Sequence, residues 1–354
     1  MRRATRSVTL LAAATVLGGA VACRGEGAAP LAPAAVDPAR VAVAGLSSGA
    51  YMATQVHVAL NARVRGAALV AGGPYGCAQG SLETALGPCM TGQPAPPDVA
   101  RLAASMRDRS EAGRVDPLDA FAGDRVLVLH GTRDATVSPS LAPLTAALYR
   151  EAGGDALAVT LDDARPFGHG LPTPEGPAPC DAAASPWLLD CGFDGAALVM
   201  ATLFGDSVSD AGAAAGPPGT PVESTAPRPD GTLQAFDQRE LLGGEAPAGL
   251  ARTGFVYTPA ACASGGCGAL VAFHGCRQDA ASVGEAFVRD AGFNRWADVH
   301  RVVVVYPQAR SSYVPLNPNA CWDWWGYGGT DYDTRDGAQV RFVSALLDRL
   351  LQPR

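Results

Sequence analysis

The stretch VAVAGLSSGAYMATQ, Val41 to Gln55, decides how this chain is read. RVAVAGL is a short apolar run that reads as a buried strand, and GAYMATQVHVALN reads as the helix after it. Between them Gly45-Leu46-Ser47-Ser48-Gly49 fits G-x-S-x-G. A sharp strand-to-helix turn needs small residues around its serine, because the backbone is strained and the helix passes close to the strand. The five letters alone recur for steric reasons; the strand before and the helix after give them weight. Ser47 is therefore the candidate nucleophile.

Outward from this turn, apolar runs alternate with amphipathic stretches. RGAALVAGG, DRVLVLHGTRD and ALAVTLDDA read as strands, and LAPLTAALYREAG reads as a helix. The alternation predicts an α/β fold with a mostly parallel central sheet in one domain over residues 41–354. Residues 205–231 break the pattern: small, polar, rich in Pro and Gly, they read as a joining linker. Beyond them LQAFDQRELL and TGFVYTPAAC read as antiparallel strands, and GALVAFHGC and RVVVVYPQA as buried ones. GEAFVRDAGFNRWADVH reads as one helix and DGAQVRFVSALLDRLL as a closing helix.

A serine nucleophile needs a base, and the base needs an acid. Asp134 lies in the loop after the strand DRVLVLHG, and His169 in the Gly-flanked loop ARPFGHGLP. The order Ser47, Asp134, His169 is that of an α/β-hydrolase. Asp162 and Asp163 are rival acids, placed within or at the end of a strand-like stretch. Among the other histidines, His57 belongs to the helix after the turn and reads as structural. His130 and His274 each precede a glycine at a strand end and read as loop-shaping; His300 reads as a surface residue.

Acyl transfer also needs an oxyanion hole. One donor is the N–H after the nucleophile, here Ser48. The other comes from a loop after a strand marked His-Gly, and LVAFHGCRQ nominates the N–H of Cys276. In the common order that strand precedes the serine; here it follows far downstream. Circular permutation explains this. Residues 41–204 then supply nucleophile, acid and base, residues 232–354 the oxyanion loop, and 205–231 the joint between the old ends.

Composition bounds the setting. The chain has 354 residues, 48% hydrophobic and 17% charged, enough for a large core. A net charge of −7 argues against a nucleic-acid partner. Residues 1–22 read as a signal peptide: basic Arg2, Arg3 and Arg6, an apolar run from Val8 to Val21, and a small-residue cleavage site at Ala20-Val21-Ala22. That run is short for a membrane span. Cys23 follows at once and is a candidate for lipidation, although Ala20 stands where a lipobox usually has a larger aliphatic residue. Residues 23–40 read as a flexible leader.

Eight further cysteines in an exported chain predict disulfides. Neighbours propose Cys77–Cys89, Cys180–Cys191 and Cys262–Cys267, which leaves Cys276–Cys321. No CxxC occurs and the histidines do not cluster near cysteines, so no metal site is expected.

GLSSGAYMA, AGGPYGCA, HGTRDATV and GHGLPT, with FHGC, VVVVYPQA and NPNACWDWWGY in the second half, resemble the extracellular poly(3-hydroxybutyrate) depolymerases of the circularly permuted type. The resemblance spans nearly all of the chain after the leader. It implies a secreted, monomeric α/β-hydrolase that cleaves a polyester through Ser47, Asp134 and His169, with Ser48 and Cys276 as oxyanion donors and no cofactor. A separate polymer-binding domain, frequent in such enzymes, is not found. Adsorption would then use apolar surface near the site, and Trp322, Trp324, Trp325 and Tyr327 are the candidates for lining the acyl-chain cleft. Two other functions share these features: a secreted esterase for feruloyl or acetyl esters, and a non-catalytic binding protein on the same scaffold.

Overall fold

Strand β1 (Val41–Leu46) is buried along its whole length, at the middle of an eight-stranded sheet. The structure is a computed structural model that describes residues 28–205, 228–244 and 249–354. The expected signal peptide, Cys23 and residues 206–227 of the linker lie outside the described residues.

On one side of β1 follow β2 (Gly66–Val70), β3 (Arg125–Leu129) and β4 (Ala158–Asp162), all parallel. A small three-stranded sheet, β5 (Leu171–Thr173), β6 (Ala178–Pro179) and β7 (Leu188–Asp190), lies apart from the main one. The other side of β1 is built from the second half of the chain: β8 (Thr232–Asp237), β9 (Thr253–Thr258), β10 (Gly268–Phe273) and β11 (Val302–Tyr306). The spatial order is β4-β3-β2-β1-β10-β11-β9-β8. β1 pairs in parallel with β10 and β10 with β11, while β9 runs antiparallel to both β11 and β8. The central strands are continuous apolar runs because both sheet faces are covered. Val41 and Val43 enter one core cluster, while Ala42, Ala44 and Leu46 enter the other.

Two expectations need correction. The leader is packed from Leu31 onward: Leu31, Ala34 and Val36 are buried. Ala34 and Val36 donate their N–H groups to Leu350 O, and Ala35 donates to Gln352 O. Its three apolar side chains have a groove to fill beside the closing helix Ala338–Leu351, so the segment is held in place. The second concerns GEAFVRDAGFNRWADVH, which forms two helices, Ala286–Asp290 and Phe293–His300. Gly292 between them has φ +92°, a left-handed conformation that ends one helix and starts the next.

The sequence reading also passed over the helix Val99–Glu111, capped by the Asp98 side chain at Arg101 N. Disulfides join Cys77–Cys89, Cys180–Cys191, Cys262–Cys267 and Cys276–Cys321. The last spans 45 residues and the Cys262–Cys267 bridge only 5. Loop-closure entropy grows with the span, so replacing both cysteines by serine should cost about 4 kcal/mol for the long loop against about 2 kcal/mol for the short one. Denaturant unfolding of Cys276→Ser/Cys321→Ser and Cys262→Ser/Cys267→Ser under oxidising conditions checks that ranking.

Candidate active site

Ser47 occupies a strained turn between β1 and helix α1 (Ser48–Ala59), at φ +57° and ψ −121°. A non-glycine residue stays there only when its surroundings fix it. They do so through two glycines. A Cβ on Gly45 would stand 2.0 Å from Gly49 O, and one on Gly49 would stand 2.3 Å from Phe273 O. No side chain fits either place. Ser47 N–H donates to Val70 O at the end of β2, and Ser47 O accepts from Ala50 and Tyr51 at the start of α1.

Asp134 lies in the loop after β3. Its Oδ1 accepts the N–H groups of Thr136 and Val137 at 2.8 and 2.9 Å. Its Oδ2 lies 2.8 Å from His169 Nδ1, and His169 Nε2 lies 3.0 Å from Ser47 Oγ. The structure thus brings together the three side chains nominated from the sequence. The acid Oδ2 orients the imidazole with Nδ1 protonated, which leaves the Nε2 lone pair facing the serine hydroxyl. Burial raises the Asp134 pKa, but hydrogen bonds from His130 and His169 outweigh it and hold the carboxyl well below its usual range.

Asp162 is occupied by Arg165 at 2.6 Å. His57 is buried between Tyr149 Oη and Asp124 Oδ2, away from the serine. His300 closes the helix Phe293–His300 and is half-buried. His130 does more than shape its loop. Its Nε2 lies 3.0 Å from Val137 O, which can only accept, so Nε2 carries the proton; it also points at Asp134 Oδ2, 3.2 Å away. Its spacing four residues before Asp134 in HGTRD was the signal available in the sequence.

The two oxyanion candidates flank the serine. Ser48 opens α1, and a first-turn N–H has no acceptor within its own helix. Cys276 follows β10 in a loop whose Gly275 lies against Ser47; a Cβ on Gly275 would be 3.5 Å from Ser47 Cβ. Gly275 N–H donates to Gln278 Oε1, Arg277 N–H donates to Asn319 O, and the Cys276–Cys321 disulfide ties the loop down. His274 accepts the Ala309 N–H on Nε2, so its proton sits on Nδ1, 2.6 Å from Gly275 O. Burial pushes its pKa down to about 4.

A cleft of about 380 Å³ opens on Ser47, His169 and Cys276. Trp324 and Trp325 line it, as do Tyr51 and Trp187, which the sequence reading did not single out. Tyr51 stacks on Trp324 with ring centroids 4.4 Å apart and donates its hydroxyl to Cys89 O. Trp322 and Tyr327 do not line the cleft, contrary to expectation. Trp322 is fully buried, its ring edge-on to Phe273 and its Nε1 donating to His274 O. Tyr327 turns its hydroxyl inward, donating to Cys321 O and accepting from Asn317 and Gln339. Both brace the loops from beneath. Among the described residues no group of three or more His, Cys, Asp or Glu is placed to hold a metal, and no helix is long and apolar enough to cross a membrane.

No family model matches the chain. It is 33% identical over 319 residues to a poly(3-hydroxybutyrate) depolymerase of Delftia acidovorans, covering 89% of this chain and 60% of that relative's length. It is 31% identical over 337 residues to a polyhydroxybutyrate depolymerase of Talaromyces funiculosus, covering 89% of this chain and 91% of the relative. Its fold is similar to the crystal structure of PHB depolymerase from Penicillium funiculosum, with TM-score 0.78 and 27% identity over 91% of this chain and 98% of that one. A structure of PHB depolymerase complexed with R3HB trimer matches equally well.

The low pKa of His274 has a consequence for stability. Between its ordinary value of 6.5 and about 4, the unfolded chain takes up a proton there and the folded chain does not. Stability therefore falls as pH drops through that window. Urea midpoints should decline from pH ~6.5 to ~4 and decline less in His274→Gln, whose side chain can still accept from Ala309.

Proposed function

The chain belongs to the poly(3-hydroxybutyrate) depolymerases, and from that premise we propose that it is a serine esterase cleaving the ester bonds of a poly(3-hydroxyalkanoate). The observation that carries this reading is the line Asp134–His169–Ser47 opening on an apolar cleft. In this mechanism Ser47 Oγ attacks the ester carbonyl while His169 Nε2 takes its proton. The Ser48 and Cys276 N–H groups hold the oxyanion; one such donor is worth about 10²–10³ in kcat. Collapse expels the alcohol end of the polymer, which takes the proton from His169. Water, deprotonated by the same nitrogen, then releases the 3-hydroxyacid and restores Ser47. Asp134 stays ionised throughout and stabilises the imidazolium.

Exposed Leu82, Leu86 and Leu316 line the cleft mouth, and Tyr313 and Val314 stand exposed on the neighbouring loop. This rim supports contact with a solid, water-insoluble chain. We also read the fold as circularly permuted. Counted from β8, the sheet order becomes 1-2-4-3-5-6-7-8, a near-sequential layout in which neighbours in the chain are neighbours in space. The end of the closing helix hydrogen-bonds to the leader just before β1, where an unpermuted chain would run straight on. Four disulfides fit an oxidising compartment; export through residues 1–22, with Cys23 either free or lipidated, and action as a monomer complete the reading.

Ser47→Ala and His169→Ala should lose clearing of a polyhydroxybutyrate suspension by about ten-thousand-fold or more, with circular dichroism and thermal unfolding unchanged. A fluorophosphonate should label the native protein at Ser47 and fail on Ser47→Ala. Clearing retained in Ser47→Ala overturns the assignment.

A further inference from the structure

The cleft carries one fixed charge. Among the described residues lining it, Arg277 is the only Lys, Arg, Asp or Glu. In a chain of net charge −7 this is an unexpected place for a lone cation. No carboxylate pairs with it among the described residues. Its guanidinium lies over the ring of Trp187, 5.2 Å from the centroid, and Trp187 lines the cleft as well. Both residues hold left-handed backbone, Arg277 at φ +59° and Trp187 at φ +58°. Non-glycine residues remain there only when the surroundings over-determine them, and such positions gather at ligand-binding sites. The base of each is fixed. Arg277 N–H donates to Asn319 O beside the Cys276–Cys321 disulfide, and Gln278 links Gly275 N–H to Pro186 O, just before Trp187.

From this we infer that Arg277 recognises the free carboxylate of a polyester chain end on the alcohol side of the scissile ester; the inference rests on the polyester reading above. The direction follows from the polymer's chemistry. Each ester joins the carbonyl of one unit to the hydroxyl of the next, so the free carboxylate always lies on the part expelled as alcohol. The interior of a polyester chain is uncharged and has no use for a guanidinium. A chain end does: the planar fork of N–H donors matches a carboxylate two-point fashion. Stacking on Trp187 covers one face of the guanidinium and leaves its edge to donate. The residue thus favours soluble oligomers and chain ends with a free acid group over the same units capped as neutral esters.

The test measures kcat/KM for 3-hydroxybutyrate trimer as the free acid and as its methyl ester, in the native protein, Arg277→Gln and Arg277→Lys. p-Nitrophenyl butyrate, which has no carboxylate, normalises each variant for active protein. The native protein should prefer the free acid by about fivefold, the size expected of a partly exposed charge pair. The preference should shrink with added salt, vanish in Arg277→Gln and survive in part in Arg277→Lys. Equal rates on the two trimers by the native protein, or an undiminished preference in Arg277→Gln, overturn the inference and leave the esterase reading standing. Cleavage of the aryl ester with neither trimer attacked overturns the polyester reading and this inference with it.

Discussion

The site depends on one close approach. The first turn of α1 is pressed so tightly against the end of β10 that a Cβ on Gly49 would fall within 2.3 Å of Phe273 O and 2.5 Å of His274 O. This contact sets Ser47 and the Cys276 loop side by side, although they come from different halves of the chain. The parallel ladder from Val41↔Ala269 to Gly45↔Phe273 fixes the register, so Ser47 and Gly275 leave their strands at the same level. Backbone atoms cannot yield as a flexible side chain can, and the geometry is correspondingly stiff.

A stiff polar site inside a large protein must also satisfy its buried groups. Asp134 is the clearest case: two backbone N–H groups, His169 and His130 all address its carboxylate. That is how a buried carboxylate stays ionised beside an imidazole. The loop bearing Cys276 is held from beneath in the same manner. Trp322 Nε1 meets His274 O, His274 Nε2 meets the Ala309 N–H, and Asn317 meets both the carbonyl and the N–H of Cys321. Neutral groups do this work, so among the described residues lining the cleft Arg277, carried by this same loop, is the one fixed charge.

Much of this was legible in the sequence because it is written in short, local signals. G-x-S-x-G names a steric need that the two glycines meet, and strand-end positions lead to Asp134 and His169 through loop order. What escaped notice depends on tertiary neighbours. Tyr51 and Trp187 line the cleft only because the segments bearing Cys89, Trp324 and Arg277 fold over them. Trp322 and Trp324 are two residues apart in one aromatic run, yet one is buried beneath the loop and the other faces the cleft. Composition cannot separate them, since each is a large apolar ring in a loop with no periodicity. The leader misled for a related reason. Its Pro/Ala-rich composition signals flexibility, while Leu31 and Val36 have a groove waiting that is built from the far end of the chain.

The sheet's construction from both ends has a further consequence. β1 has β2 on one side, which the first half supplies, and β10 on the other, which only the second half can supply. Without β10 the first half would retain Ser47, Asp134 and His169 in sequence but leave an edge of β1 unpaired and the start of α1 without the surface it packs on. Without β1 the second half would hold the Cys276 loop beside nothing. Ser47, Asp134 and His169 therefore meet the Cys276 loop only when the longest-range pairing in the sheet forms, and the Cys276–Cys321 bridge ties that loop to another segment of the second half. The pairing of β1 with β10 and the geometry of the turn rest on the same close approach, which is why neither Gly45 nor Gly49 has room for a side chain.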